Sequence, residues 1–133
     1  MAKEEITQSE WQIMEVIWAD EAPLTSSEVY KRLQGDVDMS KRMVRVLMNR
    51  LNQKGILGYT VDEQDSRVYH YYALKPKAEC VDEKTRKFVE SYFKGSQKNA
   101  MAALLQNAKL TKEQLRELEE ILEQCKEKDH YGE

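Results

Sequence analysis

Lys41, Arg42, Arg45, Arg50 and Lys54 all lie between Ser40 and Gly55, and no acidic residue falls among them. Cations gathered without counter-charges attract a polyanion, so the chemistry open to this stretch is electrostatic recognition rather than bond making. The apolar residues give it a shape. Val44, Leu47, Met48 and Leu51 recur at i, i+3, i+4 and i+7, one stripe of a helix. Arg42, Val46, Asn49 and Gln53 fall on the opposite face, flanked by Lys41, Arg45 and Arg50. Ser40 can cap the helix and Gly55 can end it in the left-handed conformation. A helix buried on one side and cationic on the other fits the major groove of DNA, where base edges are read. A solvated charged face has the same period, and on this stretch alone the two readings stand level.

Residues for bond making are scarce. The chain has two histidines, His70 in a strand-like segment and His130 near the C-terminus. Cys80 and Cys125 have no metal-ligand spacing and read as free thiols. Cys125 and His130 would supply two ligands where a tetrahedral site needs four. Glu113, Glu117, Glu119, Glu120, Glu123 and Glu127 follow a helical face among lysines and arginines and read as solvated. There is no phosphate-binding glycine loop. An enzyme, a metal site and a cofactor are therefore not expected.

A chain of 133 residues has room for one domain, or a small domain with an oligomerisation segment. The net charge is −3, and residues 1–75 hold 10 basic against 12 acidic residues, so any nucleic-acid binding must use a local patch. No apolar run approaches the roughly 18 residues of a membrane span, and no signal peptide is evident, so a cytoplasmic protein without membrane attachment is expected.

The elements that position the cationic helix come in order. Thr7 and Glu10 match the capping-box spacing at the start of a helix ending at Ala19, with Trp11, Met14, Ile17 and Trp18 as its apolar stripe and the tryptophans in the core. Pro23 forbids its continuation. Thr25 and Glu28 form a second box opening a short helix through Leu33, with Val29, Tyr30 and Leu33 as its contacts. The cationic helix is third, the helix-turn-helix order. Residues 56–61 and 67–74 then read as two strands, joined by the acidic loop 62–66. Three helices and a hairpin make a winged helix.

Pro76 punctuates the chain, and helix is expected from about Glu79 onward. Phe88 and Tyr92, then Met101, Leu104 and Leu105, then Leu115, Leu118, Ile121 and Leu122 form apolar faces with no core of their own to fill. A second copy is the simplest partner for them; the alternative is folding back on the same chain. The expected fold is mainly α with a small β-hairpin: a winged helix-turn-helix domain over residues 1–75 and a helical dimerisation region over 76–133.

Residues 9–18, 50–55 and 69–74, the first with Glu10, Trp11, Met14 and Trp18 in a characteristic spacing, carry a resemblance. The chain resembles the penicillinase and methicillin-resistance repressor family, which also includes copper-responsive relatives. That resemblance implies a homodimeric winged-helix repressor, a dimer interface in the C-terminal helices, a palindromic operator upstream of a regulated gene, and an upstream sensor or protease. The family usually opens its recognition helix with Ser-Pro and carries two threonines on its outer face. Lys41, Met43 and Val46 stand there instead, while Arg45 matches a DNA-facing basic residue of the family. Antibiotic-responsive members are cut at an Asn-Phe bond whose counterpart here is Ala103-Leu104. Copper-responsive members carry paired cysteines near the C-terminus, where this chain has Cys125 alone.

The expected function is a homodimeric transcriptional repressor that lays its recognition helix in the major groove of operator DNA. The alternative is a winged-helix interaction module for an acidic protein partner. Arg42 and Arg45 are the candidates for base edges or adjacent phosphates, Lys41 and Arg50 for phosphates, and Met43 and Val46 for thymine methyls. Ser40 and Asn49 complete the helix set, and Arg67, at the base of the hairpin, adds a phosphate contact. The acidic hairpin tip, with Asp62, Glu63 and Asp65, should stay out of the minor groove.

Overall fold

The computed structural model describes residues 5–132, and the side chains of residues 5–128. Six helices and one two-stranded hairpin follow in the order α1 (Gln8–Ala19), α2 (Ser26–Leu33), α3 (Lys41–Gln53), β1 (Leu57–Val61), β2 (Tyr69–Ala73), α4 (Lys77–Phe93), α5 (Gln97–Asn107) and α6 (Lys112–Gly132). They fall into two compact units, Met1–Lys84 and Thr85–Glu133, the first of which includes the opening turns of α4.

The first unit is a winged helix. Both expected capping boxes form: Thr7 caps α1 with Glu10 reaching back, and Thr25 does the same with Glu28 on α2. Each box satisfies two backbone N–H groups that the helix start would otherwise leave open. α1, α2 and α3 pack together around Ile13, Met14, Ile17, Val29, Leu33, Val44, Leu47, Met48 and Leu51, all buried. Burying one such side chain contributes about 2 kcal/mol. The two tryptophans depart from expectation. They are half-buried at the margin, edge to face at 5.2 Å, while Ile13 and the Glu10 carboxylate take the interior positions. Each indole keeps its N–H near a polar partner, Trp11 donating to Glu15 and Trp18 to the Lys75 carbonyl, both at 2.9 Å.

β1 and β2 pair antiparallel, Leu57 with Ala73 through Val61 with Tyr69. Both strands are shorter than expected. Ile56 belongs to the helix exit, where its N–H bonds the Leu51 carbonyl, and Arg67 lies in the connecting loop. A third backbone segment joins the sheet. Leu24 and Tyr71 exchange both backbone hydrogen bonds, at 2.9 and 2.8 Å, so the residue after Pro23 anchors the hairpin to the α1–α2 connection. α4 starts at Lys77, earlier than expected. Cys80, on its first turns, is buried in the core of this unit, which pushes its thiol pKa up.

In the second unit, Lys94 and Gly95 both adopt positive φ, which stops α4 and frees Ser96 to cap α5 through the Asn99 amide. The third expected capping box is present: Thr111 and Gln114 exchange side-chain to backbone bonds at 3.0 and 3.1 Å. Among its described residues Val89 and Ala100 are buried, and the large apolar side chains of α5 and α6 face outward.

Candidate nucleic-acid interface

The cationic helix is held from both ends. At its start, the Ser40 hydroxyl accepts the Met43 N–H at 3.0 Å. At its end, Gly55 takes φ +80 and its N–H bonds the Asn52 carbonyl, while the Asn52 side-chain amide donates to the Leu57 carbonyl at 2.8 Å. That last bond ties α3 to the first strand of the wing. Between these ends, Val44, Leu47, Met48 and Leu51 are buried, so the rotation of α3 about its axis is set by the core.

That rotation decides what faces out. Lys41, Arg42, Met43, Arg45, Val46, Asn49, Arg50 and Gln53 are all exposed. Lys41, Arg42, Arg45 and Arg50 hold no ion pair among the described residues. Four unneutralised cations on two and a half turns create a positive field, strengthened at the N-terminus by the helix dipole. Met43 and Val46 remain 48% and 39% exposed within it.

Lys54 leaves the set. Its ammonium turns inward to Glu10 Oε1 at 2.7 Å and donates to the Glu5 carbonyl at 2.6 Å. It is a half-buried strut between α1 and α3, not part of the outward face. The capping box singled out Glu10 from sequence, but no local pattern signals a partner 44 residues away.

Arg67 differs as well. It lies in the loop rather than at the base of the hairpin, with its side chain 89% exposed and forked onto Asp65 at 3.0 and 3.2 Å. Asp65 thereby neutralises it, and Arg67 holds the Asp65 carboxyl below the usual aspartate range. On the other side of the loop, Asp62 accepts the amides of Gln64 and Asp65 and the His70 Nε2–H, the last at 2.8 Å. The His70 bond, then the Gln64 amide, keep its carboxyl charged below the usual range. His70 is thus a structural partner of the wing turn. The turn carries more negative charge than positive, unlike α3.

Among the described residues no group of three or more His, Cys, Asp or Glu side chains is placed to hold a metal. Cys80 is buried and Cys125 exposed. His130, weighed beside Cys125, lies outside the described side chains. No described helix is long and apolar enough to cross a membrane.

Residues 6–124 match the penicillinase repressor family. This chain belongs to that family. Within it, the methicillin resistance regulatory protein MecI of Staphylococcus aureus is 24% identical over 118 residues, covering 89% of this chain and 93% of that protein. The penicillinase repressor of Bacillus licheniformis is 26% identical over 122 residues, covering 92% of each. By name the first is a regulatory protein and the second a repressor, and the family is one of repressors rather than enzymes. Solved structures carry the same fold. The DNA-binding domain of the repressor BlaI aligns with 59% of this chain and 90% of its own length, with a TM-score of 0.50 and 24% identity. YusO from Bacillus subtilis aligns with 94% of this chain and 77% of its own, with a TM-score of 0.52 and 21% identity. The winged helix assigned from the order of elements is therefore the architecture of this penicillinase repressor family member.

Proposed function

We propose that this protein is a homodimeric transcriptional repressor that binds a palindromic operator, with α3 of each copy in the major groove. The observation that carries the reading is the outward face of α3: four unpaired cations, no carboxylate, and a helix axis locked by core packing. Lys41 and Arg50 meet phosphates, and Arg42 and Arg45 reach base edges or the phosphates beside them. Ser40 and Asn49 border the same groove. Arg67 makes at most an accessory phosphate contact, because Asp65 already neutralises it.

Residues 1–75 are the DNA-binding part of this reading and residues 76–133 the dimerisation part. Phe88, Tyr92, Met101, Leu104, Leu105, Leu115, Leu118, Ile121 and Leu122 are all exposed in the single chain. So many large apolar side chains on one small unit mark an association surface. A two-fold dimer matches a palindrome, and each half-site alone contributes only part of the affinity. Repression takes place in the cytoplasm. A signal that weakens the dimer, whether a cut in α5 or a partner bound there, would release DNA. Copper sensing through a cysteine cluster is not part of the proposal: Cu(I) needs several thiolates, and Cys80 is buried away from solvent.

Selection of bound duplexes from a random pool, using the full chain, tests the reading. A two-fold symmetric consensus whose affinity falls steeply with salt is expected. Failure to shift any duplex, together with binding to an acidic protein surface, would favour an interaction module instead.

A further inference from the structure

Met43 and Val46 are the anomaly on the outward face of α3. The buried stripe of the helix is already complete without them. They sit at i and i+3, so they adjoin, and Val46 lies one turn from both Arg42 and Arg50. Scattered apolar residues on a surface are ordinary. Two adjoining ones inside a field of unpaired cations are placed where a polyanion will be drawn against them.

We propose that Val46, with Met43 beside it, reads the 5-methyl group of thymine in the operator half-site. The inference rests on the repressor reading above. The major groove displays donors, acceptors and one apolar feature, the thymine methyl. Val46 can neither donate nor accept a hydrogen bond and the Met43 sulfur is only a weak acceptor, so that methyl is the base-edge feature they complement best. Their positions along the helix differ by about 4.5 Å, more than the roughly 3.4 Å rise of one base pair and less than that of two, so the pair covers one or two adjacent steps. The surrounding arginines bring the helix to any duplex, and the apolar pair makes it prefer thymine at that step.

The test replaces each thymine of a selected operator by uracil, one at a time, which removes only the methyl. The full-length chain should lose about fourfold in affinity at one or two neighbouring positions per half-site, the value of one methyl group returned to water. The thymine-to-uracil ratio at those positions should fall to about one in Val46→Ala combined with Met43→Ala, each ratio being measured within one protein. Both substitutions are on exposed positions, and the uracil series needs no variant at all. Uracil tolerated at every position by the wild-type chain would overturn the proposal, as would a penalty that persists in the double variant. Either result would leave the repressor reading standing, whereas a chain that selects no duplex would remove both.

Discussion

Glu10 and Lys54 join the first turn of α1 to the exit of α3 by a 2.7 Å ion pair, with the carboxylate fully buried and the lysine 15% exposed. The same Glu10 oxygen accepts the Thr7 N–H, so one carboxylate both caps α1 and braces α3. Its other oxygen is buried with no partner among the described residues. Removing the carboxylate would leave a largely desolvated ammonium with only the Glu5 carbonyl and open the cap at the same time. Glu10→Ala should therefore destabilise the fold by about 3–5 kcal/mol, read from urea unfolding. Glu10→Gln, which keeps the cap, should cost less. Equal stability of all three proteins would show the pair to be inert.

Gly55 ends α3 with φ +80, and an added Cβ there would meet no atom within 4 Å. The cost of a side chain is therefore backbone strain alone. Gly55→Ala should lose about 1 kcal/mol in thermal unfolding, and Gly55→Asn less, because asparagine tolerates that conformation.

Arg45→Ala should weaken binding to the selected operator by about 1–3 kcal/mol if Arg45 pairs with guanine, and relax specificity at one base pair. Lys41→Ala should weaken binding alike across sequences and reduce the salt slope by about one. Arg42→Ala and Arg45→Ala proteins that bind the operator as wild type does would contradict the placement of α3 in the groove. Titrations at two salt concentrations supply the comparison.

Leu118→Asp places a charge in the exposed seam of α6. Sedimentation should show the wild type as a dimer at micromolar concentration and the variant shifted toward monomer, with weaker operator binding. A wild-type monomer would rule out the dimer.

Asp62 is charged below the usual aspartate pKa because His70, then the Gln64 amide, favour its ionised form. Its contribution to the wing turn is therefore complete above the unfolded value of about 4 and is lost as pH falls through the lower folded value. The amide signal of Gln64, which donates to Asp62, should move in that acid range. In Asp62→Asn it should not, and identical titration curves would exclude the role.

Much of this protein was decided by short-range pattern. The capping boxes at Thr7, Thr25 and Thr111, the stripe of α3, and the alternation around Tyr69–Ala73 each lie within a few residues, where backbone sterics and helical period act directly. The winged-helix order followed from them, and so did the outward set on α3, because a helix with one apolar stripe has one orientation on a core. What depended on distance was beyond such reading. Lys54 looks like its cationic neighbours until the fold brings Glu10 to it, and Arg67 looks free until the loop curls Asp65 beneath it. Leu24 carries no strand signal, since a single-residue bridge needs only a partner backbone, supplied by Tyr71 from another segment. Trp11 and Trp18 share the helical period of the core but stand at its rim, where an indole can bury its ring and keep its N–H satisfied. Sequence spacing determines which residues share a face; the tertiary structure decides which charges on that face are already spent.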